Sequence, residues 1–475
     1  MAARFSSRVA IAVGLFVLLA CVFDGAAQAQ STFGPETYVR EGRKTRVTRT
    51  FGLGSTSVPF TLTLINGNAD GSLRFRKGTL SLNGEVILST GVLNRKFASL
   101  TVAIHPGPQN DLKLTMKGGD PGSFVTVAIE PTAGTVLNDP SSQEAVGFPG
   151  GVVVDQTRHR AYISDRHYDS VFEFDIASAT ITRRFAGLDG DSTLGNGATT
   201  GIAFNPSTRT IVAVNQGMAL SPGGVAPPGS LALIGLDGGS VTTEVLIGSQ
   251  GETHPYFVAV NPANNTVAFN ALYSQNSRRA YFMNVASGAM RIRDESVVLT
   301  GVAINPVTNR FVFAGADDAS PVLIVYDGLS PFRRVRKIAS TARAGTTFDR
   351  LAINTATNIA VAVNQGERAV FLFDLADGAE IARIPILVGN VLEPGADVAV
   401  NPETNTAVVT SRYLDRVTVI DLATKLVTAE IPLPVGARPL GVDIDRESNR
   451  AVVTENGFSS SIRNGSIFVV QLPRP

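Results

Sequence analysis

The sequence predicts an all-β protein: a seven-bladed β-propeller preceded by a small antiparallel β-sandwich. Three observations carry this. A strand–turn–strand unit recurs seven times between residues 150 and 475. Residues 30–130 alternate apolar and polar side chains with a period of two. The composition, with 46 Gly and 25 Pro in 475 residues and 17% charged residues, suits a chain of many turns and excludes a long helical bundle or a disordered tail.

The first 29 residues read as an export signal. Arg4 and Arg8 precede the apolar run Val9 to Phe23, which is short for a membrane span of ~20 residues. Ala27-Gln28-Ala29 has the small-x-small pattern of a cleavage site, and cleavage after Ala29 is expected. The alternative uses the single cysteine: Leu18-Leu19-Ala20-Cys21 resembles a lipoprotein box, which implies lipidation at Cys21. Either way the protein is expected to be exported: secreted, periplasmic or held at the cell surface. One cysteine also excludes a disulfide framework or a Cys-based zinc site.

Residues 30–130 contain Phe60 to Ile65, Leu80 to Leu82, Glu85 to Leu88, Leu100 to Ile104, Leu112 to Met116 and Phe124 to Ile129, each alternating and bounded by turn residues. Asn66-Gly67 and Asn83-Gly84 are hairpin-type pairs. About seven short strands in ~100 residues predict an antiparallel sandwich. With Leu82-Asn83-Gly84 and Pro121-Gly122-Ser123, the region resembles a small Ig-like module of exported bacterial proteins.

Residues 131–475 hold the repeat. Its copies open at Gly151, Gly201, Phe257, Gly301, Arg350, Asp397 and Gly441, separated by 50, 56, 44, 49, 47 and 44 positions. Such a period, with several strands per unit, is the signature of propeller blades. Each copy runs to an Asn or Asp, turns, and starts a second strand. Asn305-Pro306-Val307-Thr308-Asn309 and Asn401-Pro402-Glu403-Thr404-Asn405 are the clearest turns. The last turn residue is Asn265, Asn309, Asn358, Asn405 or Asn449 in five copies and His159 in a sixth. Asn and His tolerate positive φ, so this residue is predicted to be left-handed. The units resemble the YVTN-type β-propeller repeat. Tyr162-Ile163-Ser164-Asp165 is the nearest form of its tetrapeptide, while Val214-Asn215 and Val363-Asn364 keep its end. NHL-type and lactonase-type propellers share much of the pattern.

The last copy is one strand short. After Ile467 to Gln471 only Leu472 to Pro475 remain. Residues 132–138 have the composition of a lone strand, and they are predicted to complete the last blade and close the ring, because an open ring exposes strand edges. A monomeric ring is expected.

Charge separates the halves. The whole chain has a net charge of +1, which gives no general electrostatic attraction to nucleic acid. Residues 30–131 hold 12 Lys and Arg against 7 Asp and Glu, and residues 132–475 hold 27 against 32. Arg40, Arg43, Lys44, Arg46 and Arg49 cluster locally, either as edge-strand protection or as a patch for an anionic polymer or the acidic propeller. Arg333, Arg334, Arg336 and Lys337 are placed on an outermost strand.

Catalytic motifs are absent from the sequence. There is no Gly-x-Ser-x-Gly elbow, no His-Glu-x-x-His and no phosphate-binding glycine loop. No Trp and no cysteine pair argue against a quinone-dependent dehydrogenase. Propeller ligands sit on the axis, on the face built by loops entering the innermost strands and loops joining the second to the third. The entering loops offer Glu252, His254, Tyr256, Asp349, Arg350, Glu393, Asp397 and Arg438. The second set offers Asp165, His167, Tyr168, Arg412, Tyr413 and Glu455. Asp165 and Glu455 are the metal-ligand candidates, yet they share a repeat position with Asn215, Asn270 and Asn364, which favours a structural hydrogen bond. Gln216 to Ser230, rich in Gly and Pro, is a long insertion on the same face. The leading expectation is a non-catalytic binding or scaffold protein recognising a protein, peptide or surface glycan, with no cofactor. The alternative, implied by the lactonase resemblance, is a hydrolase or lyase dependent on a calcium-class ion.

Overall fold

A computed structural model describes residues 32–53, 59–89, 93–94, 96–134, 136–137, 147–166, 168–186, 188, 199–216, 229–238, 241–247, 255–271, 277–317, 320–386, 397–412, 414–455 and 465–474. The described chain is all strand apart from a single 3-10 turn at Gln365–Glu367. No helix among the described residues is long and apolar enough to cross a membrane.

The N-terminal region forms eight strands: β1 (Phe33–Val39), β2 (Lys44–Gly52), β3 (Phe60–Asn66), β4 (Lys77–Leu82), β5 (Glu85–Leu88), β6 (Ser99–Ile104), β7 (Gln109–Lys117) and β8 (Phe124–Pro131). They make two four-stranded sheets, ordered β1-β8-β3-β6 and β2-β7-β4-β5. The inward residues of both, among them Leu62, Leu64, Val127, Leu80, Leu112, Leu114 and Met116, share one buried core. Asn83 and Gly84, both at positive φ, make the two-residue turn between β4 and β5. Asn66-Gly67 is not a hairpin turn. β3 pairs with β6 and β8, while β4 lies in the other sheet, so the chain crosses over there. Buried Asn66 accepts the Phe75 N–H at 3.1 Å and holds that crossing.

Among the described residues from Pro149 to Gln471 the chain forms seven antiparallel sheets, six of four strands and a last one of three. The innermost strands are Pro149–Asp155, Thr199–Asn205, Pro255–Asn261, Val298–Asn305, Arg350–Asn354, Val398–Asn401 and Pro439–Asp445. Each packs beside the next, and the seventh packs beside the first, so the array is closed. Seven apolar clusters lie between neighbouring sheets. One of them joins Val152, Ile163 and Phe172 of the first sheet to Val452, Ile467 and Val469 of the last.

The segment before the first sheet lies against the last. Val136 makes an antiparallel bridge to Val470. Gly134 donates to the Gln471 carbonyl at 2.8 Å, and Leu137 donates to that of Val469 at 2.7 Å. Val136 packs against the cluster between the sixth and seventh sheets, and Leu137 against the one between the seventh and first. Successive side chains to opposite faces are what a strand provides.

A polar belt ties the turns together. The residue closing each first hairpin is left-handed in all seven copies, with φ between 51° and 58° at His159, Arg209, Asn265, Asn309, Asn358, Asn405 and Asn449. The Asn or Asp ending each innermost strand reaches this residue in the following sheet. Asn205 donates to Asn265 at 2.8 Å, Asn261 to Asn309 at 2.6 Å, Asn305 to Asn358 at 2.8 Å, Asn354 to Asn405 at 2.7 Å and Asn401 to Asn449 at 3.2 Å. The two remaining joints use a carboxylate: Asp155 faces Arg209 at 3.5 Å, and Asp445 meets the His159 ring at 3.0 Å. In the five amide joints one side chain thus serves the turn and the neighbouring sheet, which satisfies buried polar groups that would otherwise cost stability; at the Asp155–Arg209 joint the Asp155 Oδ2 makes no hydrogen bond.

Candidate functional site

The innermost strands present an unpaired edge to the axis, so their spacing and side chains define what the axis can hold. Aligning the seven copies isolates one position. It is Gly151, Gly201, Gly301 and Gly441 in four sheets and Phe257, Arg350 and Asp397 in the other three. The glycines let neighbouring strands close in. A Cβ at Gly201 would lie 2.4 Å from the Tyr256 carbonyl, and one at Gly441 2.4 Å from that of Gly150.

The three exceptions meet. The Arg350 guanidinium lies 3.5 Å from the Phe257 ring centroid and 5.8 Å from that of Tyr256, both within cation–π reach. Its Nε is 3.7 Å from an Asp397 carboxylate oxygen. Tyr256 and Phe257 pack edge to face with centroids 4.5 Å apart. These groups line a cavity of about 140 Å³, with Arg166, Thr200, Leu351, Leu440 and the glycine edges completing it. One terminal nitrogen of Arg350 donates to the Asp349 carbonyl at 3.3 Å, and the side chain keeps 22% of its surface exposed, which leaves its other terminal nitrogen for a ligand.

Asp397 is held by backbone. It accepts the N–H of Val398 at 2.9 Å and that of Val442, in the next sheet, at 3.3 Å. Burial pushes its carboxyl above the usual carboxylate range, and the Arg350 charge opposes that shift. Asp443 repeats the device one sheet on, accepting Ile444 N–H and Val154 N–H, each at 2.8 Å. Burial raises the Asp443 carboxyl to about 6; its backbone hydrogen bonds oppose this and the Asp397 charge adds to it.

Of the residues singled out in the sequence, Tyr256, Arg350 and Asp397 converge on this cavity. Asp349 does not line it. Its carboxylate accepts the Gln365 N–H at 3.1 Å at the 3-10 turn, and burial raises it. Arg412 lies in the turn between Thr406–Ser411 and Arg416–Asp421; Asp415 of that turn accepts the N–H of Arg438, just before Pro439–Asp445, at 2.9 Å; neither arginine lines the cavity. Asp165 accepts three backbone N–H groups, from Gly147, Phe148 and Tyr168, at 2.7, 3.2 and 3.1 Å. Asn215, Asn270 and Asn364, at the same repeat position, bond to the Leu188 carbonyl, the Leu299 carbonyl and the Thr346 hydroxyl. Burial raises the Glu455 carboxyl, and a Ser466 hydrogen bond opposes the shift. Glu252, His254, Glu393, His167, Tyr413, Cys21 and residues 217–228 of the long insertion lie outside the described residues. Among the described residues no three His, Cys, Asp or Glu side chains form a group that could share a metal ion.

Phe257, Arg166 and Asp443 were not singled out from the sequence. Phe257 and Asp443 carried a readable signal. Phe257 stands where four copies have Gly, and Asp443 stands where the other six copies have Val153, Ala203, Ala259, Ala303, Ala352 and Ala399.

No protein-family model matches the sequence, and no curated protein matches it. Solved structures do match in fold. Hydrazine synthase of Kuenenia stuttgartiensis is similar with a TM-score of 0.54 at 12% identity, over 72% of this chain and 100% of that one. The Cps50 (Swd1) β-propeller domain of Myceliophteria thermophila is similar with a TM-score of 0.51 at 10% identity, over 70% of this chain and 98% of that one. At these identities the likeness is one of fold. It defines the class: an all-β protein with a β-propeller of repeated four-stranded antiparallel sheets.

Proposed function

We propose that the protein is an exported, non-catalytic binding protein. In this reading a seven-bladed, YVTN-type propeller follows an Ig-like β-sandwich. Its axial face recognises a carboxylate-bearing group at the end of a peptide, protein segment or glycan. The observation that carries this is the convergence of Phe257, Arg350 and Asp397, the three departures from glycine at one repeat position, on a single cavity. A guanidinium stacked on one ring face keeps its edge N–H donors in the plane of the group; one terminal nitrogen of Arg350 bonds the Asp349 carbonyl, and the other is left for an anion. At 3.7 Å Asp397 orients Arg350 without a full hydrogen bond. The cavity volume of about 140 Å³ suits one functional group rather than a whole cofactor. A calcium-class site, the alternative reading, is disfavoured at this spot because the Arg350 charge repels a divalent cation.

A displayed peptide library with free C-terminal carboxylates, together with an acidic-oligosaccharide array, tests this on the native protein, Arg350→Gln and Arg350→Lys. Ligands selected by the native protein lose about tenfold or more in affinity on Arg350→Gln, near the value of one charged hydrogen bond, and recover part of it on Arg350→Lys. Equal binding to Arg350→Gln overturns the reading. So does calcium binding by calorimetry together with a melting temperature lowered by EDTA.

A further inference from the structure

The basic residues of the N-terminal region sort themselves differently in three dimensions than along the chain. Arg40 is buried, with 8% of its surface exposed, and it bonds the carbonyls of Gly119 and Asp120 at 2.9 and 2.8 Å. Arg49 pairs with Glu36 at 3.1 Å. Lys44 and Arg46 instead join three lysines distant in sequence on the outer face of the β2-β7-β4-β5 sheet.

Register places them. Lys44 on β2 stands opposite Lys117 on β7, and Lys117 stands opposite Lys77 on β4. Two residues along, Arg46, Thr115 and Thr79 form the next row. Thr48, Lys113 and Ser81 form the row after that. The opposite face of these strands carries Leu80, Leu112, Leu114 and Met116 into the core. All five cations are exposed, and none makes an ion pair among the described residues. Asp111, at the far end of the face, is bonded to Thr50 at 2.8 Å.

Like charges directly opposite each other across strands are destabilising, so folding does not ask for this arrangement. Desolvation draws the Lys44 ammonium below the ordinary lysine range, and the Arg46 and Lys117 charges add to it. Edge protection accounts for cations on β2, which is an edge strand. It does not account for Lys77, Lys113 and Lys117, because β4 and β7 are interior to the sheet.

We propose that this sheet face is a second binding surface, separate from the axial cavity, and that its partner is an acidic polysaccharide lying across the strands. The row Lys44–Lys117–Lys77 sets cations one strand spacing apart, about 4.8 Å, which is close to the length of one sugar ring in an extended chain. The row of cations then faces the carboxylates or sulfates that the chain turns toward the sheet. The hydroxyls of Thr48, Thr79, Thr115 and Ser81 lie between the charges, where they meet sugar hydroxyls. The three rows contain no aromatic side chain on which nucleic-acid bases would stack. They contain no apolar side chain to insert into a bilayer; Val86 on β5 is the one exposed apolar group at their rim.

The test uses the full chain and immobilised polygalacturonate, with neutral dextran, single-stranded DNA and vesicles of phosphatidylcholine and phosphatidylglycerol as the other arms. The native protein binds polygalacturonate, not dextran, and binds it less tightly at about 200 mM than at about 50 mM salt. The triple variant Lys44→Gln, Lys77→Gln, Lys117→Gln loses about tenfold or more in affinity. The slope of log affinity against log salt falls by about one for each lysine removed. A variant removing three exposed cations elsewhere, Arg291→Gln, Arg333→Gln, Lys425→Gln, binds like the native protein. Circular dichroism verifies that both variants are folded, and each single substitution gives a partial loss if the triple one is not. Equal binding by native and triple variant overturns the proposal. So does preference for DNA or vesicles over polygalacturonate, or loss of binding in Arg350→Gln with none in the triple variant.

Discussion

His159 Nδ1 lies 3.0 Å from the Asp445 carboxylate, and this contact joins the first sheet of the ring to the last. Five other joints of the belt are amide to amide; this one titrates. The Asp445 hydrogen bond holds His159 above the ordinary histidine range, burial opposes it, and the charges of Asp445, Glu447 and Asp155 add to it.

The sign of the pH dependence follows. A histidine with a raised folded value adds stability that is fully present below its unfolded value of about 6.5, and that is lost as pH rises through the folded value. The ring is 40% exposed, so the gain is below about 1 kcal/mol. His159→Asn restores the amide of the other joints and tolerates the same φ. The native protein is expected to outlast it in thermal melts near pH 5, with the difference gone near pH 8.

Asp443 gives a second dependence in the same pH range. Its carboxyl is raised to about 6, mainly by burial. The folded protein therefore binds that proton more tightly than the unfolded chain, and the stabilisation present at low pH is lost as pH rises through about 6. Asp443→Asn removes the charge facing Asp397, but its one amide oxygen can accept only one of the Ile444 and Val154 N–H groups that the two carboxylate oxygens now serve. The pH dependence of stability around 6 is therefore expected to vanish in this variant, at a cost near pH 4 of about 1–2 kcal/mol for the lost acceptor, measured by urea unfolding at pH 4 and pH 8.

The amide belt predicts a larger loss. Buried Asn305 donates to Asn358 at 2.8 Å and accepts the Val307 N–H at 3.0 Å. Asn305→Ala leaves both partners unsatisfied and should lower unfolding stability by about 2–3 kcal/mol. Thr308→Ala, in the same turn with its hydroxyl outside this network, should change it by under about 0.5 kcal/mol.

Closure by residues 132–138 is tested in the full chain. Replacing the segment with a Gly-Ser stretch of equal length removes the apolar contacts of Val136 and Leu137 and leaves only main-chain bonds to hold the pairing with Val470. The expected loss is about 2–4 kcal/mol, seen as a lower melting temperature for the whole ring rather than early fraying. An unchanged melt shows that the segment does not close it.

Local chemistry is what the sequence determined by itself. The seven strand–turn–strand units, the left-handed Asn and His positions and the two-residue Asn83-Gly84 turn all rest on bonds and φ preferences within a few residues. Arg350 and Asp397 were legible as axial candidates, while Phe257 was not singled out, although it stands where four copies of the repeat have glycine. What only the tertiary structure decided is which edges and faces meet. Asn66-Gly67 reads like a hairpin but serves a crossing between sheets, since the partner of β3 comes from residues 99–131. The lysine rows appear only once β2, β4 and β7 are in register, and Asp445 finds His159 only when the last sheet reaches the first. Neighbours brought together by packing across 34 to 286 positions leave no period in the chain, because their pairing energy belongs to surfaces that exist only after the sheets have formed.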